Sequence, residues 1–453
     1  MSSTHRLILA IGWLLALATP GGAQLLDRSL AIDNQLLGLH NFPGPAAGEA
    51  AQDGVVDGLY LSGGLVWGLG EWSELHLGGD LGLVYDDATG ATTPRTLVHR
   101  AYLQVAAGEA LDWRLRVGIL PERIAHGLLL DSDEPTIDLR LRRAAGVAQE
   151  ASLLVQGVLI DGESPLLRAM ASLDTPGRGH LSLWVGDYHD RGDRLLGQAT
   201  AVRGLLLRRR LKHDDRLQRL LASPRGRALL DESLAEPVAS DGRLRLAGLD
   251  GAWSWGRVEG SAVAVYEWGD YRFRGARKEV DLDVEVRGWL ASGELRLPVG
   301  ERLVVAPFVL YQSGDEQVVD RRLTTFVALA PFNPYATLFF NGSLQRDFLA
   351  NTFQPVELEN FGVVAGGGRA QVAVAEAVSV AATATYLRAD QPPAALAAQA
   401  LGWEVDSRLT WQVGERWALA WEWDLFVPGE LIEQVAEEAN TMQMVAATVR
   451  YEF

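Results

Sequence analysis

Charged residues in this chain recur at every second position of otherwise apolar stretches. Arg114 and Arg116 flank Leu115, and Arg100 stands two residues before Tyr102. Further along, Glu404, Asp406 and Arg408 alternate with Val405 and Ser407; Glu422 and Asp424 flank Trp423; and Arg450 lies between Val449 and Tyr451. In an extended chain that spacing puts the charges on one face. A row of guanidiniums there can hold carboxylates or phosphates through paired N–H donors. The same arginines can instead pair with Glu404, Asp406, Glu422 and Asp424 across strands and stiffen a wall. Both readings stay open, and both need a charged face that meets water rather than a protein core.

Other chemistry is poorly represented. No Gly-x-Ser-x-Gly elbow, His-Glu-x-x-His pair or Gly-Lys-Ser phosphate loop occurs. The histidines are dispersed, and the only cluster, Tyr188-His189-Asp190, reads as a loop tripeptide. With no cysteine, thiolate metal sites, iron–sulfur clusters and cysteine nucleophiles are excluded, and neither metal nor cofactor is expected. The formal charge of −17 argues against nucleic acid. Basic charge is nearly all arginine, with lysine only at Lys212 and Lys278.

Alternation defines the elements that carry these groups. Leu59, Leu61, Leu65 and Trp67 share one parity, as do Leu75, Leu77, Leu81, Leu83 and Tyr85 opposite Glu74, His76 and Asp80. Leu97, Ala101, Leu103 and Val105 then face away from Arg100, Tyr102 and Gln104; Trp113, Leu115, Val117 and Ile119 return beside Arg114 and Arg116. Further strands are expected over 244–255, 258–268, 282–297, 303–312, 362–374, 378–387, 403–412 and 417–425. Within 282–297 the apolar parity changes, which suggests a bulge or a partly extramembrane strand. Gly-Glu turns recur at Gly70-Glu71, Gly108-Glu109, Gly300-Glu301 and Gly414-Glu415, while acidic stretches at 131–134, 187–193, 315–320 and 430–440 read as long loops on the other rim. Residues 213–240 carry leucines at helical spacing and are expected to form a loop helix, on the rim or folded into the lumen.

The ends complete the expectation. His5 and Arg6 precede an apolar run of about a dozen residues and then small residues before Gln24, the pattern of a signal peptide over 1–23 cleaved after Ala23. Residues 24–54 read as an irregular segment, too short for a plug domain. The final strand shows Phe453, Tyr451, Val449, Ala447 and Val445 on one face and Glu452, Arg450 and Thr448 on the other. Ending on Phe453 with Tyr451 two before it resembles the C-terminal signature by which assembly machinery recognises bacterial outer-membrane barrels. No apolar run is long enough for a spanning helix, which needs roughly 18 residues or more. The expected fold is therefore all-β, a transmembrane antiparallel β-barrel over 55–453. Removing 23 residues from 453 leaves 430, and a hairpin uses roughly 45, so 16 to 18 strands fit, with 18 favoured. Barrels of that width leave an aqueous channel.

The segment Leu401-Gly402-Trp403-Glu404-Val405-Asp406, the returning Phe426-Val427-Pro428-Gly429 and the last strand resemble the C-terminal third of the alginate-export family of outer-membrane porins. Arg100-Ala101-Tyr102-Leu103 with Leu115-Arg116-Val117-Gly118 is similar to its first half. The resemblance implies an 18-stranded barrel passing an anionic polysaccharide, with Arg100, Arg116, Glu404 and Asp406 on matched motifs. The expected function is passive diffusion of a polar or charged solute, such as an anionic oligo- or polysaccharide, past Arg100, Arg114, Arg116, Glu404, Asp406, Arg408, Glu422, Asp424 and Arg450. An outer-membrane barrel enzyme or adhesin acting through its outer loops is the alternative. Expected partners are outer-membrane lipid and lipopolysaccharide, the barrel-assembly machinery and the solute.

Overall fold

A computed structural model of the chain describes residues 24–42, 52–87, 90–108, 111–146, 149–160, 162–191, 239–274, 282–315, 322–329, 335–340, 361–392, 398–435 and 440–453. The expected leader, 1–23, lies outside these residues, as does all of 213–240 except its last two positions. Those two open a strand.

Strands dominate. The first nine are β1 (Gln24–Phe42), β2 (Gln52–Gly70), β3 (Ser73–Asp86), β4 (Ala91–Ala107), β5 (Asp112–Ile124), β6 (Leu130–Gly146), β7 (Gln149–Ile160), β8 (Ser164–Thr175) and β9 (Gly179–Asp190). Then come β10 (Ala239–Trp255), β11 (Val258–Arg274), β12 (Leu282–Val299), β13 (Leu303–Gln312) and the two-residue β14 (Arg322–Leu323). The last five are β15 (Val363–Ala375), β16 (Val378–Arg388), β17 (Ala400–Val413), β18 (Trp417–Pro428) and β19 (Met442–Glu452). Successive strands pair antiparallel, and β19 returns to β1 in register from Ala31 opposite Glu452 to His40 opposite Gln443. Only β14 departs, lying parallel to β12, so 18 of the 19 strands form one closed wall. Closure leaves no unpaired sheet edge, the condition for a sheet to cross hydrocarbon.

The burial pattern shows which side meets lipid. On β6, Ile137 is 54% exposed and Leu139 39%, while Thr136 and Asp138 between them are 5% and 1% exposed. On β7, Leu153 and Val155 are exposed, whereas Leu154 and Gln156 are covered. Leucine outside and aspartate inside is the inverse of a soluble sheet and matches a barrel bathed in lipid. Exposed Trp67, Trp255, Trp289, Trp403, Trp411, Trp417 and Trp421 belong to the same outer surface, where interfacial tryptophans sit.

Gly70-Glu71, Gly108, Gly300-Glu301 and Gly414-Glu415 all close short connections on one rim. Gly300 (φ +70°) and Gly414 (φ +71°) adopt the left-handed conformation such turns require.

Three expectations are corrected. Residues 24–42 are not irregular but form β1, paired with both β2 and β19. Their period was hidden because Leu37 faces inward and Asn34 outward, where its side chain donates to Asp57 at 3.1 Å. The acidic stretch 131–134 is not a loop; it lies on β6 opposite β5, and 187–190 lies on β9. Finally, β12 has no bulge against β11. Its parity changes because Val284 and Val286 point inward into an apolar cluster while Leu295 points out.

That cluster explains the barrel's interior. Around one half of the lumen, inward residues such as Leu244, Leu246, Val265, Val286, Leu310 and Phe426 are apolar. They pack against connections folded inside the wall: Leu128, Leu129 and Leu130 after β5, then Phe326, Val327 and Leu329, then Tyr335, Leu338 and Phe339. The last two lie on the one-turn helix α1 (Thr337–Phe340). A second short helix, α2 (Glu430–Val435), adds Leu431 and Ile432. Strands that meet these segments carry apolar inward residues interrupted by buried polar ones such as Glu267, Thr385 and Glu404, and the inner face of β5 to β8 is richer in polar groups.

Candidate functional site: the lumen wall and its inward segments

The more polar part is built by register. Inward positions of β5 to β8 fall into hydrogen-bonded rows, one running Arg116, Asp138, Gln156, Arg168 and the next Arg114, Arg140, Leu154, Met170. Arg142 stands opposite Ser152 in a third row. Five guanidiniums thus stand on β5, β6 and β8, three of four adjacent strands. Arg116 is committed to Asp138, its Nε lying 3.0 Å from Oδ2 and its Nη2 closing a second contact. The Arg116 guanidinium also lies 5.9 Å from the Tyr102 ring, which stacks on His76 at 4.4 Å. Arg114, Arg140, Arg142 and Arg168 have no carboxylate partner among the described residues. The Nε atoms of Arg114, Arg140 and Arg168 are buried and make no hydrogen bond.

Arg140, Arg142 and Arg168 open onto a cavity of about 840 Å³ inside the lumen. Acidic and neutral polar groups share this lining, among them Asp174 on β8 and His180, Asp250 and Glu294 on other strands. His180 lies 3.4 Å from Asp250, and Glu294 is 3.9 Å from Arg369. Three lining carboxylates, Asp174, Asp250 and Glu294, lie on β8 to β12, while Glu122 on β5 and Glu150 on β7 stand among the arginine strands. A low-dielectric rim around such a cavity focuses the field across it.

Two inward segments bound the cavity. After β5 the turn Ala125–Gly127 places three consecutive residues in the left-handed region, with φ of 55°, 58° and 94° for Ala125, His126 and Gly127. Two of them carry side chains, and left-handed backbone at such residues costs of order 1 kcal/mol or more each. The Arg123 guanidinium donates to the His126 carbonyl at 2.9 Å and holds the turn. Burial holds the His126 imidazole below its ordinary pKa, so this ring adds no charge to the arginine wall at neutral pH. The second segment, after β13, is tied to the first by Leu329, whose N–H donates to the Leu129 carbonyl at 2.9 Å. It brings Tyr335 to the cavity, stacked on Phe308 at 4.3 Å and sharing a 2.9 Å hydrogen bond with Ser292.

Buried glutamates on the wall peg this second segment. Glu404 accepts from the backbone N–H of Leu338 at 2.6 Å and of Phe339 at 3.0 Å, and Glu267 accepts from Val327 at 2.5 Å. Thr385 adds a hydroxyl bond to the Tyr335 carbonyl. Backbone groups taken from water are costly when unpaired, so a strand residue that satisfies two at once fixes the segment's position.

The nine expected charged residues all lie on the inner face, in different settings. Arg100 is exposed to the lumen and lies over Gly78 and Gly64, where an added Cβ would come within 2.6 Å of its Nε and 2.8 Å of its Nη2. Arg114 and Arg116 belong to the arginine wall. Glu404, Asp406, Glu422 and Asp424 are each 1% exposed or less, so they lie under cover rather than in open water. The cross-strand pairing weighed above is realised once among them, by Arg408 and Glu422 at 2.6 Å. Arg450 lies 3.8 Å from Asp33 on β1 and 3.0 Å from Glu452. Tyr451 and Phe453 stack edge-on at 4.9 Å beside Trp417, and the Phe453 N–H donates to Leu30 as the barrel closes.

Residues not singled out from sequence are Arg140, Arg142, Arg168, Glu122 and Gln156. Leu139-Arg140-Leu141-Arg142 carries the same alternation as the Arg114 strand and signals the first two. Glu122, Gln156 and Arg168 meet only through the barrel's register. Tyr188 and Asp190 are buried inside β9, while His189 points outward to Asp241 at 2.9 Å, so the tripeptide makes no cluster.

With the barrel and its wall described, comparison with solved structures is decisive for the fold. A BenF-like porin from Pseudomonas fluorescens Pf-5 superposes with a TM-score of 0.52 at 10% identity, over 95% of this chain and 98% of that one. The fold is that of a bacterial outer-membrane porin. OccK5 (OpdH) from Pseudomonas aeruginosa is similar at a TM-score of 0.49 and 11% identity, covering 95% of this chain and 98% of its own. OpdQ from the same species follows at 0.48 and 9%, covering 94% and 97%. No protein-family description matches the chain, and no curated protein resembles it in sequence. The resemblance to the alginate-export family finds no support in these comparisons.

Proposed function

We propose that the protein is a passive channel whose lumen favours small solutes bearing a carboxylate. The observation that carries this reading is the set of Arg140, Arg142 and Arg168, open to one cavity and without carboxylate partners among the described residues. Guanidinium forks match the two oxygens of a carboxylate, and a fixed row of them lowers the cost of stripping its water. Solute would move down its gradient, with the inward segments setting the width. An anionic polysaccharide shares the chemistry, but the apolar packing of 322–329 and 335–340 across the lumen favours small solutes over a polymer. The reading includes assembly by the C-terminal aromatic strand and residence among outer-membrane lipid and lipopolysaccharide.

The test is single-channel recording on refolded protein under a salt gradient. Arg114→Glu with Arg116→Glu should move the reversal potential toward cations, and Arg140→Gln with Arg142→Gln should weaken block of the current by acetate. An unchanged reversal potential and unchanged block would remove the arginine wall from the conduction path; block by uronate oligomers stronger than by acetate would favour the polymer.

A further inference from the structure

The cavity holds more unsatisfied chemistry than a carboxylate alone would use. Four polar side chains from β5 to β8 reach it together: Glu122, Arg140, Gln156 and Arg168. Glu122, Gln156 and Arg168 are 5%, 2% and 8% exposed. The Gln156 amide donates to Glu122 Oε2 at 2.7 Å, which positions the carboxylate. Glu122 Oε1, Gln156 Oε1, Arg168 Nε and Arg140 Nε then remain buried without a hydrogen-bond partner. Glu122 and Arg168 do not form an ion pair although both open onto this cavity. Orphaned donors and acceptors at such depth are rare in folded proteins, and here they come in both kinds.

We infer that this is a subsite for a small zwitterion, its carboxylate on Arg140 and Arg168 and its ammonium on Glu122 and Gln156 Oε1. A carboxylate alone would satisfy the two Nε donors and leave Glu122 Oε1 and Gln156 Oε1 facing an anion. An ammonium alone would leave two guanidiniums unmatched. A solute carrying both groups a few bonds apart satisfies all four atoms without a change in the wall's net charge. Asp174 and Asp250, which also line the cavity, add to the attraction of the ammonium end on approach. Glu122 is thereby the specificity-determining residue, separating amino acids from simple carboxylates. The inference rests on the carboxylate reading above and adds the cationic half.

The experiment compares three solutes of similar size in swelling of liposomes carrying the full chain: alanine, lactate and glycerol. Alanine should enter fastest, and Glu122→Gln should erase its lead over lactate, a loss of roughly tenfold in half-saturation for one charge-assisted contact. Arg168→Gln should slow both alanine and lactate. Lactate as fast as alanine, or a lead that survives Glu122→Gln, overturns the zwitterion subsite and leaves the carboxylate reading standing. Glycerol matching both overturns the two together. If the Glu122 variant does not insert, block of the ionic current in the unaltered protein decides, with alanine expected to block at lower concentration than lactate and the reverse order refuting the subsite.

Discussion

Replacing Glu404 by Ala removes the acceptor for two buried backbone donors and should unseat one end of the inward segment. The carboxylate is 1% exposed and receives Leu338 N–H at 2.6 Å and Phe339 N–H at 3.0 Å. Hydrogen bonds to a charged group contribute about 1.5–3 kcal/mol each. Part of that returns when the freed donors meet water, so a net loss of about 3 kcal/mol is a fair expectation. At 1.4 kcal/mol per decade this is roughly a hundredfold rise in the open population of α1. Amide hydrogen exchange in micelles reads it directly, with Leu338 and Phe339 losing about two decades of protection. Glu404→Gln keeps one acceptor and should lose about half as much on the logarithmic scale. Val327 is pegged separately by Glu267 at 2.5 Å and serves as the internal control. Unchanged exchange at 338–339, or equal loosening at Val327, would show that the segment is not held by these pegs.

Two further outcomes follow from the same geometry. Arg408→Met leaves Glu422, 1% exposed, without its 2.6 Å partner, and should lower the urea midpoint of refolding by the equivalent of about 3–5 kcal/mol; Arg408→Met with Glu422→Leu should recover most of it. Leu183→Arg on the lipid face, where Leu183 is 61% exposed to the outside, should destabilise the inserted barrel by about 2–4 kcal/mol if it lies near the bilayer midplane. Ser182→Arg next to it, on the lumen side, should cost far less.

Much of this was legible in the residues. Alternation of Leu with Arg or Glu marked the wall around 97–119 and 403–425, and the Gly-Glu turns marked one rim. What escaped was set by the interior. Val284, Val286, Leu244 and Leu246 are apolar on the inner face because inward segments pack there, and no local pattern announces that packing. For the same reason Glu404 and Asp424 read as water-facing and prove to be covered. The acids of 131–134 imitated a loop, yet they sit on a paired strand, where Glu134 is 7% exposed and Asp133 binds His99 at 2.8 Å. Glu122 and Gln156 are 34 residues apart and touch only once β5, β6 and β7 are in register.

The chain has no native cysteine, so single cysteines introduced along β6 test the central claim without background. In liposomes, Cys at positions 137 and 139 should respond to lipid-borne nitroxide quenching and resist aqueous thiol reagents. At 140 and 142 the reverse should hold, with reaction from the water phase and current block on labelling. A strand whose four positions behave alike, or whose parity is opposite, would contradict a barrel with lipid outside and a charged, wet lumen within.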